Sequence, residues 1–209
     1  MKGLILKDIC MTWDSFKALL LMAVIFSVLG AYLNVPALYI YPAIVMSMLS
    51  ISTTSMDERS KWLQFADAMP YKRRDIVLGK FIITIFGVLA IAIFQTLMNI
   101  VFALIKGAGI DAFLMAGYFF STLGIGYFSA AVDYPLIFKF GAEKGRTYFI
   151  AVLVIIVLAA SFLMTRVSVS DSAIKTAMGY AGFIEFSVGA VLLCISIGLS
   201  IFFYNGREL

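Results

Sequence analysis

The chain has 209 residues, 63% of them apolar and only 13% charged, with a net charge of +4 and a mean hydropathy of +1.03. Soluble domains are about 45–50% apolar and about 25% charged, so this composition excludes a water-soluble globule and implies a polytopic membrane protein. It contains no histidine, which removes the commonest general base, metal ligand and proton shuttle together, and its two cysteines, Cys10 and Cys194, suggest no disulfide framework.

The first stretch, MKGLILKDICMTWDSFK, does not read as a signal peptide, because Lys7, Asp8, Asp14 and Lys17 interrupt the apolar run and no small-residue cleavage site follows. Ile5, Ile9, Trp13 and Phe16 share one helical face, with Lys7 and Asp14 opposite. The spacing predicts an amphipathic interfacial helix over residues 2–16, with a frayed polar start as the alternative. Six apolar runs then predict spans near residues 17–33, 36–54, 81–105, 112–132, 147–165 and 183–204, each near the roughly 20 residues that cross a bilayer. The runs are continuous and lack a period of two, so the expected fold is all-α, a single transmembrane domain over 1–209 and not a barrel. Lys17 can snorkel back to the headgroups, and Pro36 and Pro42 sit near a helix start, where a missing amide is tolerated.

Orientation follows from lysine and arginine. Thirteen of them (Lys2, Lys7, Lys17, Arg59, Lys61, Lys72, Arg73, Arg74, Lys80, Lys139, Lys144, Arg146 and Arg207) fall on one side, against Lys106, Arg166 and Lys175 on the other. Both termini and the connections 55–80 and 133–146 are therefore expected in the cytoplasm. The connections at Asn34–Val35, Lys106–Asp111 and Arg166–Gly182 are expected outside. The positive charge is topological bias and no nucleic-acid footprint.

The segment Ser55–Phe81 carries ten of the 28 charged side chains. Ser55 and Glu58 stand in capping-box register, Asp57 and Lys61 at i,i+4, and Trp62, Phe65, Ala66 and Met69 form an apolar stripe that Pro70 ends. This predicts a short helix parallel to the membrane, serving either as a dock for a soluble partner or as a simple interfacial anchor with Trp62 at the headgroups. The second connection, DYPLIFKFGAEKGR, reads as a basic connector in which Pro135 sets a turn and Gly141 and Gly145 loosen it. Within the spans, Gln95 and Asn99 at i,i+4 serve either as an interhelical hydrogen bond or as lining of a substrate path. Glu185 is the one carboxylate near the sixth span, at a hydrated interface or on that path. Ser47, Ser50, Gly117, Ser121, Gly124 and Gly126 read as close-packing positions.

The run from Asp57 through Trp62 to MPYKRRDIVLGKF resembles the cytoplasmic loop of ABC-2 type permeases, the small six-span bacterial ABC exporter subunits. Pro70, Arg73, Val77, Lys80 and Phe81 carry the match, while Met69, Lys72 and Phe81 depart from the usual Leu, small hydroxyl residue and Tyr. Pro135, Lys139, Phe140, Gly141, Glu143, Lys144 and Arg146 are similar to the second loop of the same family. The resemblance covers the whole chain. It implies that Asp57, Glu58, Lys61, Trp62, Phe65, Pro70, Arg73 and Lys80 belong to a coupling helix seated on a separate ATPase subunit. It further implies pairing with a second permease copy, identical or paralogous, ATP and magnesium on the partner with no cofactor on this chain, and Arg166–Gly182 as an outer gate. The expected setting is the bacterial plasma membrane, and the expected cargo is an amphipathic or hydrophobic peptide, bacteriocin or drug.

The missing motifs agree with a non-enzymatic subunit. The chain has no GxxxxGK[ST] phosphate loop, no HExxH, no G-x-S-x-G and no paired acidic metal cluster in a span. A gradient-driven transporter or channel is the alternative, disfavoured by the absence of a central Asp, Glu or His in any span. A membrane anchor that recruits a cytosolic ATPase is the third reading.

Overall fold

A computed structural model describes residues 2–33, 38, 40–60, 62, 73–107, 109, 111–164 and 171–206. The fold is all-α, with no strand among the described residues. Among the described residues six helices follow in order: α1 (Lys2–Leu33), α2 (Tyr41–Arg59), α3 (Arg73–Ile105), α4 (Ala112–Phe140), α5 (Ala142–Met164) and α6 (Asp171–Asn205). Six spans were expected. Among the described residues, three segments are long and apolar enough to cross a membrane: Arg73–Ile105, Ala112–Phe140 and Gly179–Tyr204. A fourth joins them if the two arms of α1 count as one.

Those arms, Leu6–Trp13 and Ser15–Gly30, meet at 53°. At the bend the Thr12 hydroxyl donates to the carbonyls of Asp8, at 2.7 Å, and Ile9, at 3.2 Å, a bond onto the preceding turn that loosens a helix slightly and that Thr96, Thr122 and Ser129 also make. The interfacial helix expected over 2–16 and the first span expected over 17–33 are one helix, bent between Trp13 and Ser15, just before the expected boundary.

The helices alternate in direction. Phe26 stacks on Tyr41 at 5.0 Å and Phe113 meets Tyr180 edge-on at 5.2 Å, which gathers one end of the bundle. At the other, Lys7, Asp57 and Lys80 converge and Phe138 meets Tyr204 at 5.3 Å. The starts of α1, α3 and α5 and the ends of α2, α4 and α6 therefore share one end.

The central helix is α4, which packs against α2, α3, α5 and α6. Its closest neighbour is α6, and glycine sets the distance. A Cβ on Gly182 would strike the Gly117 carbonyl oxygen, one on Gly189 the Gly124 oxygen, and one on Gly124 the backbone of Glu185 and Phe186. Apolar burial drives little association within lipid, so close backbone approach between small residues does that work. The packing expected at Gly117 and Gly124 is what the fold uses.

Three expectations change. Ser55 starts no new helix, because α2 runs through it to Arg59 and the capping-box pattern lies inside a helix already under way. Pro135 sets no turn but sits inside α4, which continues to Phe140. The break between α4 and α5 is Gly141 alone, at φ 85°, a conformation costly for a residue with a Cβ. Finally, α6 begins at Asp171 and not near Phe183, so most of the expected outer loop 166–182 is helical. Hydropathy marks where lipid ends; a helix stops only where its backbone bonding is interrupted.

Candidate functional site

At the shared end, four charged side chains, Asp8, Asp57 and Lys80 buried and Lys7 half-buried, form one electrically balanced cluster. Asp57, on the last turn of α2, is 1% exposed and holds a lysine on each oxygen. Lys7 Nζ of α1 donates to Oδ1 at 2.6 Å and Lys80 Nζ of α3 to Oδ2 at 2.8 Å. Asp8 completes the set, 3.1 Å from Lys7 and 3.7 Å from Lys80, and Thr53 Oγ1 lies 3.4 Å from Lys80 Nζ. The mutual pairing offsets the large cost of taking charge out of water, a balance that fails if one partner is removed. Next to the cluster, Tyr134 donates its hydroxyl to the Lys80 carbonyl at 2.9 Å, which binds α4 to the same point.

Of the apolar face expected on α1, Ile9 and Trp13 are exposed and Phe16 packs on the core around Leu19 and Met46, while Lys7 and Asp8 turn inward to the cluster. Asp57 bonds to Lys7 and Lys80; Lys61, its expected i,i+4 partner, lies outside the described residues. The sequence reading missed Lys7 and Asp8 as site residues. Their one signal is that adjacent charges of opposite sign interrupt an apolar run.

Of the expected coupling residues, Lys61, Phe65 and Pro70 lie outside the described residues. Trp62 is described, with Lys7 Nζ 3.6 Å from its ring centroid, and it packs on a core cluster that includes Ile76, Phe81 and Tyr134. The cation held over the indole is the same one that binds Asp57. Arg73 opens α3, and Lys80 is buried at 3% exposure two turns on.

Glu58, the next residue of α2, reaches the second expected loop. Its Oε2 accepts from the Ala142 backbone amide at 3.1 Å and so satisfies an amide at the open N-terminus of α5. Arg59 lies 3.8 Å from Glu143 on the exposed rim. A cavity of about 330 Å³ lies between them, lined by Ser55, Glu58, Arg59, Phe140, Gly141 and Lys144 among others. Lys139 sits 5.1 Å from the Phe140 ring centroid and 5.2 Å from that of Phe203 on α6. Lys144 and Arg146 are exposed, and Pro135 is held within α4. The end of α2 and the α4–α5 junction thus form one surface.

The polar residues within the spans lie elsewhere. Gln95 is buried on α3 and accepts a hydrogen bond from the Ser27 hydroxyl of α1, an interhelical bond. Asn99 is buried one turn further on. Glu185 of α6 accepts from the Ser121 hydroxyl of α4, beside the glycine contacts. The structure does not bring Glu185 together with the Gln95–Ser27 pair in a described contact.

A search of curated proteins returns no match for this chain. A family model described as "ABC-2 family transporter protein" matches residues 3–205, nearly the whole chain, including both connections and the charged cluster. On that match and this all-helical architecture, the chain belongs to the ABC-2 family of transporter membrane proteins.

Proposed function

We propose that the chain is the permease subunit of an ATP-driven exporter in the bacterial plasma membrane, paired with a second permease copy and seated on separate ATPase subunits. The shared end of the bundle faces the cytosol, where the thirteen-to-three distribution of lysine and arginine puts it. One observation carries the reading. The segment from Asp57 to Phe81, which resembles the family's coupling loop, carries Asp57 and Lys80 of an ion cluster on three helices and the Glu58 bond to α5. A push on that segment by a nucleotide-driven partner therefore reaches α1, α2, α3 and α5 directly. ATP and magnesium belong to the partner, and this chain supplies the moving parts.

The cargo in this reading is amphipathic or hydrophobic, and it moves outward. Gln95, Asn99 and Glu185 are the candidates for its path, although Gln95 and Glu185 already hold bonds to Ser27 and Ser121. The test is co-expression with the cognate ATPase. A stable complex whose ATPase rate depends on this subunit is expected, with Trp62→Ala and Glu58→Lys weakening assembly. Normal assembly and normal stimulation in both variants would remove the coupling role.

A further inference from the structure

At the bend of α1 an apolar groove of about 320 Å³ opens between α1, α2 and α3, lined by Trp13, Phe16, Met46, Phe86, Gly87 and Ala90 among others. Trp13 is 55% exposed and Phe86 65% exposed at its lip. The lip is continuous with the apolar outer side of α3, where Ile93, Leu97 and Val101 are exposed. Arg73–Ile105 is long and apolar enough to cross a membrane, so a groove on the exposed side of this helix is placed to meet lipid. Its inner end adjoins a smaller chamber of about 20 Å³ with shared walls at Thr12, Met46 and Ile83, which reaches Asp8 and Lys80. That chamber has room for a water molecule and for nothing larger. An apolar chain entering the groove therefore stops short of the ion cluster.

The polar end of the occupant is set by charge. Lys17 is exposed one turn past the bend, and its ammonium lies 5.7 Å from the Trp13 ring centroid. A lysine folded back over an interfacial tryptophan places positive charge at headgroup depth beside the groove mouth. We propose that the groove is a phospholipid site, in which one acyl chain lies along Phe16, Phe86 and Ala90 and an anionic headgroup pairs with Lys17. The occupant fills the gap that the 53° bend leaves between α1 and α3, and so fixes the angle at which the arm bearing Lys7 and Asp8 approaches Asp57.

Tryptophan fluorescence reads this directly, because the chain has only Trp13 and Trp62. The protein is reconstituted in phosphatidylcholine vesicles containing brominated-chain phosphatidylglycerol, or brominated phosphatidylcholine at the same bromine content. The difference between wild type and Trp13→Phe isolates the groove signal. The expected result is quenching by the anionic lipid at a mole fraction about fivefold lower than by the zwitterionic one, the factor one cation contributes at an anionic surface. Lys17→Gln should remove the headgroup preference and leave quenching by both lipids. Ala90→Phe, which fills the groove, should remove the early, saturating phase while leaving bulk quenching. Equal quenching by the two lipids in wild type, or an unchanged early phase in Ala90→Phe, overturns the proposal. So does relief of the early phase by an added amphipathic peptide but not by unbrominated phosphatidylglycerol, because the groove would then select peptide over lipid. Should Trp13→Phe fail to fold, retention of phosphatidylglycerol by the wild-type protein and its loss in Lys17→Gln, read by native mass spectrometry, decide the same question.

Discussion

Asp57 on α2 and Lys80 on α3 meet at 2.8 Å in a site where both are almost fully buried, and the other oxygen of the same carboxylate holds Lys7 of α1. One aspartate thus joins three helices. Asp57→Asn should lower unfolding stability by about 3–5 kcal/mol, because the buried Lys80 ammonium and the half-buried Lys7 ammonium keep Asp8 as their one anionic neighbour among the described residues. Lys80→Met should cost a similar amount. The double variant should cost less than the sum, because it removes charge of both signs. Denaturant unfolding of the detergent-solubilised protein measures all three, and single-variant losses below about 1 kcal/mol would mean that the cluster is no more than a surface-grade ion pair.

Glu58 acts on α5 through a single acceptor atom. Glu58→Ala should behave as the loss of a helix cap, worth about 1 kcal/mol. Hydrogen exchange at the Ala142 amide should then quicken about fivefold, the equivalent of that energy. Glu58→Gln keeps an acceptor oxygen and should exchange like wild type. Identical exchange in the alanine variant would show that the cap is not formed in solution.

The glycine contacts are directional, so a control lies on the same helix. Gly182→Ala pushes a methyl group into the Gly117 carbonyl oxygen, whereas a Cβ on Gly198 meets nothing within 4 Å. Thermal unfolding should show a loss of about 1–3 kcal/mol for the first, as overpacking of a tight interface does. Gly198→Ala should be neutral or slightly stabilising. Equal behaviour of the two variants would mean that α4 and α6 do not pack this closely.

Gln95 and Ser27 test packing against transport. A double-mutant cycle of Gln95→Leu and Ser27→Ala should return a coupling near 0.6 kcal/mol, typical of a hydrogen bond between membrane helices. Transport should persist in both single variants. Loss of transport in Gln95→Leu with unchanged stability would move Gln95 from the packing of α1 on α3 to the substrate path.

The helical class, the start of α4 after Asp111 and the close packing at Gly117 and Gly124 were legible in the sequence, since each follows from composition or from a local rule. Asp111 caps α4 by accepting from the Phe113 and Leu114 amides at 3.0 and 3.3 Å, a contact between near neighbours in sequence. The charged cluster was not legible, because its members are separated by up to 73 residues and amphipathic spacing does not say which face meets protein. In water the apolar face turns inward; against lipid both faces of α1 have an apolar environment to choose from. The pairing of Asp57 with Lys7 and Lys80 settles that choice. The ends of α2 and α4 were misread for a related reason. Charge at Asp57–Arg59 and at Asp133 suggested loop, but α2 carries its charge because Lys7, Lys80 and the Ala142 amide receive it, and Asp133 lies buried inside α4, its carboxylate oxygens without a hydrogen-bond partner among the described residues.

The glycine contacts also restrict how this protein can change shape. With backbone against backbone at Gly117–Gly182 and Gly124–Gly189, α4 and α6 have no clearance to slide past one another, and the single residue Gly141 passes any displacement of α4 on to α5. Close approach of this kind favours α4 and α6 moving as one unit, with Asp57 and Glu58 tying α2 to α1, α3 and α5 beside them.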